Sequence, residues 1–384
     1  MTEFIVQVTH GNQSRPLDLL GYVRPRQLMI ELTSRCNLRC AYCPKGDPQY
    51  NAIPGRDDDM EPAWQDRALS LCQELAPHIV MLCGTGETTF MNGWMDAVAP
   101  YQALPSTRTA MISNFGRVLS ETEVDTLARF SALTVSIDTR DEEIMARVRR
   151  KVSVARITHN IVLVRAAARK AGIRGPEINV NCTVQSTNAD KLKDLAIYCA
   201  TVGVNTLSLS SLLELDAPND VVHGIEHFPA ERLREIRDHV LETIKVCQQM
   251  GLPLQVQPRL ATLLDGAREE AITTPNRVTR LCMQPWQQYT IAADGKIYPC
   301  CVTTDSVDDL STPGNPFDAE GIRTFRKRLL DGDMPDMCKH CSNAPLGDNV
   351  SLMQMVAQYI IENAPSTDAQ ALLNAANAHR VAAA

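Results

Sequence analysis

A chain of 384 residues that is 44% apolar and 22% charged can bury one large core plus an appendage, which excludes a disordered or fibrous protein. A net charge of −7 and a pI near 5.7 exclude a broad nucleic-acid footprint, which needs a basic face. No apolar run is long enough to span a bilayer, and Met1-Thr2-Glu3-Phe4 lacks the basic start and apolar centre of a secretion signal, so a cytoplasmic protein is expected.

Residues 1–26 hold one apolar patch, Phe4-Ile5-Val6-Gln7-Val8, and then a polar Gly/Asn/Arg/Pro stretch. They read as an N-terminal extension too short for a peptide-recognition domain. From 27 to 257, β-branched and apolar runs alternate with segments of helical period. The predicted strands are 27–33, 78–83, 108–113, 132–138, 177–185 and 205–211. The predicted helices are 61–76, 93–103, 120–130, 141–172 and 188–202, with Ser120 and Thr187 or Asn188 as caps. A helix near 229–250 and a short strand at 252–257 close this unit. The alternation predicts parallel βαβ units, six rather than eight, hence an α/β barrel open on one side.

In parallel barrels chemistry collects at the carboxyl ends of the strands. The first strand leads into Arg35-Cys36-Asn37-Leu38-Arg39-Cys40-Ala41-Tyr42-Cys43-Pro44. Three thiolates spaced C-x3-C-x2-C can hold three corners of a cubic iron–sulfur cluster and leave the fourth iron open. Three of four zinc ligands is the alternative. The second strand ends in Cys83-Gly84-Thr85-Gly86-Glu87-Thr88-Thr89, where glycines allow close backbone approach and a carboxylate can accept from an ammonium group. A plain turn with a surface glutamate would look the same. The third strand ends in Ser113-Asn114-Phe115-Gly116 and the fourth in Ser136-Ile137-Asp138-Thr139, short polar residues that suit ligand contacts, turns or caps. The fifth directs Asn179, Asn181 and Thr183 to one face. His223 and His227 have i, i+4 spacing, but Gly224 and Pro229 favour a loop over a metal pair.

Of thirteen cysteines, Cys72, Cys83, Cys182, Cys199 and Cys247 stand singly as small buried hydrophobes. A second set falls in the segment 258–349, Cys282-x17-Cys300-x37-Cys338-x2-Cys341. Asp294-Gly295 predicts a hairpin that carries Cys300 back towards Cys282, and a helix over 319–332 precedes the last pair. Four thiolates can close a cluster completely, or hold a structural zinc. Cys301, beside Cys300, could replace it as a ligand. Residues 350–384 read as a polar, alanine-rich helical tail.

The cysteine loop, with an aromatic residue before its third cysteine, resembles the signature of the radical S-adenosylmethionine (SAM) superfamily. The resemblance implies a partial (β/α)6 TIM-like barrel in which SAM chelates the open iron of a [4Fe-4S] cluster and is cleaved to a 5′-deoxyadenosyl radical. Gly84, Gly86 and Glu87 would hold the SAM amino group, although Thr85 and Thr88 depart from the usual Gly-Gly-Glu-Pro. Tyr42 would lie near the adenine. Ser113, Asn114, Ser136 and Asp138 would face the ribose and carboxylate, with Arg150 on the carboxylate and Arg149 nearly as well placed.

The second set resembles the Twitch form of the SPASM domain, which implies one auxiliary [4Fe-4S] cluster in a small C-terminal domain. Together these resemblances imply an oxidoreductase, reduced by a low-potential flavodoxin or ferredoxin. Its expected substrate is a small polar molecule such as a sugar, aminocyclitol or nucleotide-linked sugar, with Glu214 and Arg259 as candidate catalytic contacts. A ribosomal-peptide maturase forming a thioether, a crosslink or an epimer is the alternative.

Overall fold

A computed structural model describes residues 4–10, 13–21, 23–212, 221–265, 276–339, 341 and 343–363. The chain opens with a hairpin, β1 (Ile5–His10) and β2 (Gln13–Asp18). Then follow β3 (Gln27–Ile30), α1 (Pro48–Asn51), α2 (Pro62–Leu75), β4 (Ile79–Leu82), α3 (Trp94–Gln102), β5 (Arg108–Ser113), α4 (Glu121–Leu127) and β6 (Ala132–Ser136). Next come α5 (Glu142–Val148), α6 (Val154–Lys170), β7 (Glu177–Val184), α7 (Leu192–Thr201), β8 (Thr206–Ser211), α8 (Ala230–Met250), β9 (Leu254–Val256) and α9 (Pro258–Asp265). The C-terminal part holds β10 (Val278–Arg280), α10 (Gln284–Gln287), β11 (Gln288–Ile291), β12 (Lys296–Tyr298), β13 (Asp308–Asp309), α11 (Glu320–Asp331), α12 (Asp336–Lys339), β14 (Leu346–Asp348) and α13 (Asn349–Glu362).

Strands β3 to β9 pair in sequence order, all parallel. The sheet has two ends and is therefore an open barrel. Alternation along each strand divides its residues between a helix-packed face and a face towards the barrel interior. Leu28, Ile30, Val80, Leu82, Leu133, Val135, Ile178, Val180, Leu207 and Leu209 are buried against the helices, and their neighbours point the other way. The helices begin where the sequence provides caps: Ser120 and Glu123 form a reciprocal capping box on α4, and Asp141 and Ser153 cap α5 and α6.

The helix predicted over 141–172 is two helices. Arg150 and Lys151 take left-handed φ values of 48° and 57°, and a Ser153 cap restarts the chain. The helix predicted from 188 starts at Leu192, because Asn188 is buried and donates through Nδ2 to the carbonyls of Asp138 and Thr183 at 2.8 and 2.9 Å. Helix α9 was not expected.

The C-terminal hairpin extends the barrel sheet: β11 lies parallel to β3, Tyr289 opposite Leu28, and β12 and β13 continue antiparallel beyond it. A second core forms from both ends of the chain, with Phe4, Leu19, Leu20 and Val23 packed on Trp286, Phe325, Leu329, Leu352 and Val356. The N-terminal segment and α13 are thus built into the C-terminal part, and residues 364–384 of the expected tail lie outside the described residues.

Arg326, fully buried, staples this core. It donates to the carbonyls of Pro285 (3.1 Å), Leu20 (2.6 Å) and Gly21 (2.8 Å) and to the Tyr289 hydroxyl. Arg326→Met would orphan those buried acceptors, each worth 1–3 kcal/mol. A loss of roughly 3 kcal/mol in urea unfolding and earlier proteolysis near residues 17–26 are expected.

Candidate functional site

The loop after β3 is held in a tight wrap by two glycines. A Cβ on Gly46 would lie 2.6 Å from the Cys40 carbonyl oxygen, and one on Gly86 would lie 2.2 Å from that of Thr33 and 2.7 Å from that of Arg35. The cysteine loop and the glycine loop after β4 therefore touch backbone to backbone, tied further by the Glu87 N–H donating to Arg35 O at 2.8 Å. Cys36, Cys40 and Cys43 are half-buried. Burial pushes the Cys36 thiol up to about 11 and the Cys40 thiol up to about 12, and each thiol lies within reach of the others' charge.

Thiolates in such surroundings need a cationic partner. The Leu38 N–H points at Cys36 Sγ at 3.4 Å, and a backbone bond from Lys45 favours the charged form of Cys43. Among the described residues no three His, Cys, Asp or Glu side chains are drawn close enough to enclose a single ion. The fit to a cluster rests on the shared loop, its burial and its donors to sulfur.

Glu87 is buried in the loop after β4, where it joins the glycine loop to the end of β5. Its Oε1 accepts from Ser113 Oγ and Thr89 Oγ1, both at 2.8 Å, and its Oε2 accepts from the Asn114 N–H at 2.8 Å. Burial raises its pKa against these bonds. Asn114 Nδ2 donates to Asn37 Oδ1 at 2.9 Å, so the third strand end also reaches the cysteine loop.

Asp138 is the second hub. Its Oδ2 accepts from the Tyr42 hydroxyl and from Arg149 Nε, both at 2.8 Å, and its Oδ1 accepts from Arg149 Nη2 and the Thr183 N–H. The Arg149 guanidinium carbon lies 5.7 Å from the centre of the Tyr42 ring. Ala41 N–H donates to Val148 O at 2.7 Å, docking α5 on the cysteine loop. The arginine turned into the site is Arg149; Arg150 is exposed, because its left-handed backbone turns it out as α5 ends.

Ser136, Asn179, Asn181 and Thr183 are partly exposed on the sheet face opposite the helix-packed residues, with Asn181 beside Ser136 and Ser208 in register. Arg259 opens α9 and donates from Nη2 to Glu226 Oε1 at 2.9 Å. Glu214 lies outside the described residues. His223 precedes a 3-10 turn at Ile225–His227 and His227 is its last residue, so the two do not share a helix face. Two residues of the site escape sequence reasoning. Glu31, at the end of β3, accepts from Thr85 and Gly86 through Oε1. Lys45, fully buried, donates to Asp57 Oδ1 at 2.9 Å and to Arg56 O. Lone charges in a strand or loop carry no pattern that announces such bonds.

In the C-terminal part, Cys282 lies within reach of the charges of Cys300, Cys341 and Cys338, and Cys338 within reach of those of Cys300 and Cys341. Burial raises the thiols of Cys282 and Cys338 to about 12. The Arg280 guanidinium fixes the C-x2-C turn by donating to the carbonyls of Cys338 (3.1 Å), Lys339 (2.8 Å) and Ala344 (3.2 Å). Cys300 is half-buried among these thiols with backbone donors from Val302 and Thr303, whereas Cys301 is exposed and lies by Gln288 and Cys83. Four neighbouring, partly buried thiols, with backbone donors at Cys282 and Cys300 and a C-x2-C turn pinned by Arg280, suit a closed cluster.

Comparison with known proteins covers the segments that hold both cysteine sets. Residues 30–184 match the model of the Radical SAM superfamily, and residues 282–342 match that of an iron–sulfur cluster-binding domain, SPASM. A probable GTP 3′,8-cyclase of Methanothermobacter marburgensis is 24% identical over 82% of this chain and 94% of its own. A cofactor-modifying protein for a tungsten-containing aldehyde ferredoxin oxidoreductase, from Pyrococcus furiosus, is 26% identical over 52% of this chain and 55% of its own. Among solved structures, Streptococcus suis SuiB bound to SAM has a TM-score of 0.57 at 17% identity, covering 83% of this chain and 72% of that one. Native anSMEcpe with bound SAM has a TM-score of 0.56 at 17% identity, covering 92% and 99%. The chain thus carries a radical SAM domain followed by a SPASM iron–sulfur domain, with SAM and a [4Fe-4S] cluster as cofactors of the first and an auxiliary iron–sulfur cluster in the second.

Proposed function

We propose that the chain is a radical SAM oxidoreductase acting on a small polar substrate of the sugar or aminocyclitol kind, assisted by its auxiliary cluster. The observation that carries this reading is the character of the lumen wall. Thr134, Ser136, Asn179, Asn181, Ser208 and Ser210 line one face of β6 to β8, all partly exposed and all uncharged. Hydroxyls and amides both donate and accept, which suits a polyhydroxylated molecule. Three arginines of this region are engaged with carboxylates: Arg149 with Asp138, Arg259 with Glu226 and Arg35 with Asp59. A triphosphate would call on such cations.

When bound, SAM and the two clusters supply hydrogen-atom abstraction and an acceptor for the electron that oxidation releases, with a low-potential flavodoxin or ferredoxin as external donor. The chain's own part is to hold the substrate against the lumen wall and to set the second cysteine site beside it. Pairing of β11 with β3 supports that placement. A purine nucleotide is the second reading, favoured by the relatives named GTP 3′,8-cyclase. A ribosomal peptide remains the alternative, although likeness to SuiB and anSMEcpe at 16–17% identity speaks to fold alone.

The test is anaerobic turnover with deuterated sugars and aminocyclitols, deuterated GTP, and deuterated peptides, reading deuterium in recovered 5′-deoxyadenosine. Transfer from the first group is expected, and transfer from GTP or peptide alone would contradict the reading. Replacing Cys338 and Cys341 by alanine should lower iron by about four per chain and leave SAM cleavage while removing product. Full product formation by that variant would refute an auxiliary role in turnover.

A further inference from the structure

We infer that Glu31 is a positioning residue that sets the glycine loop against the cysteine loop, taking its own bearing from the hairpin of the auxiliary domain. Its side chain stands at the junction of three elements and is 7% exposed. One carboxylate oxygen, Oε1, accepts from Thr85 Oγ1 at 2.7 Å, from the Gly86 N–H at 3.3 Å and from the Thr85 N–H. The other, Oε2, accepts from the Ala293 N–H at 3.3 Å, at the turn of the β11–β12 hairpin that leads to Cys300. The backbone repeats the link, since Glu31 N–H donates to Ile291 O at 2.9 Å and Cys83 N–H to Ile30 O at 3.1 Å.

Fit is close on every side. A Cβ on Gly84 would lie 2.3 to 2.5 Å from Glu31 side-chain atoms, so the first glycine of the loop exists to admit this carboxylate as much as any ligand. The loop beyond it is pressed on the carbonyls of Thr33 and Arg35, through Gly86. A charged acceptor taking bonds from two successive N–H groups and a hydroxyl fixes the loop more strongly than a neutral one. Moving it would shift Gly86 and Glu87 relative to Cys36.

This inference rests on the reading of Gly84–Glu87 as the loop that faces SAM. The test uses the full chain with both clusters reconstituted, and measures SAM affinity from the change SAM induces in the electron paramagnetic resonance signal of the reduced protein. Glu31→Gln keeps the shape but sets an amide donor against backbone donors, and should weaken SAM binding about tenfold, the effect of losing one hydrogen bond to a charged acceptor. Thr85→Ala removes one bond to the same oxygen from an exposed side chain and should weaken binding about threefold. Glu31→Asp, which keeps the charge, should recover part of the loss, with iron content unchanged throughout.

SAM affinity within twofold of wild type in both Glu31→Gln and Thr85→Ala would overturn the inference while leaving the radical SAM reading intact. If Glu31→Gln fails to take up iron, Thr85→Ala decides by the same criterion. No SAM-induced change in the wild-type protein would overturn both.

Discussion

Replacing Cys36, Cys40 and Cys43 together by alanine is expected to abolish formation of 5′-deoxyadenosine and to lower iron by about four atoms per chain, leaving the second site filled. The physical ground is that these thiols share one loop and that burial holds Cys36 and Cys40 as thiols in the absence of a cation. The isolated Cys72, Cys182, Cys199 and Cys247 are buried and serve as packing. Folding should survive, because the loop's bonds to its surroundings are largely backbone: Ala41 N–H to Val148 O, Glu87 N–H to Arg35 O and Ser34 N–H to Asp58 O. Iron analysis and chromatography of the anaerobic reaction check this; residual SAM cleavage above the protein-free level would contradict it.

Removing the carboxylate of Asp138 should have the largest effect on stability of any single change. Asp138→Ala leaves the Arg149 guanidinium, 9% exposed at its side chain, without its ion pair. It also leaves the Tyr42 hydroxyl and the Thr183 N–H without their acceptor. Breaking a buried pair by deleting one partner costs about 3–5 kcal/mol, measurable as a lower urea midpoint. Because the same carboxylate aims Tyr42 and docks α5 on the cysteine loop, SAM cleavage should fall with it. Asp138→Leu combined with Arg149→Met should recover much of the stability and none of the cleavage, since an apolar pair has no buried charge to satisfy. A cost below about 1 kcal/mol for Asp138→Ala would show that the pair is solvated.

Much of the barrel was legible because its strands are buried on one face and line a lumen on the other, so the alternation in Ile178-Asn179-Val180-Asn181-Cys182-Thr183-Val184 reports both strand and orientation. Both cysteine sets stand out by spacing, and they lie within the segments that the family models match. What stayed hidden depends on partners far away in sequence. The break after Val148 follows from Arg149 turning in to Asp138 and from left-handed Arg150 and Lys151, residues that locally read as helix. The Asp294-Gly295 turn announces a hairpin but not that β11 lies on β3. Glu31 looks like any strand-end carboxylate until Thr85, Gly86 and Ala293 converge on it.

One cluster open to SAM and one closed by four cysteines give a distinct signature in iron content and Mössbauer spectra. About eight irons per reconstituted chain are expected, as two [4Fe-4S] clusters, with SAM perturbing a single iron site of one cluster only. Zinc in place of the second cluster, or two clusters that SAM leaves unchanged, would contradict it.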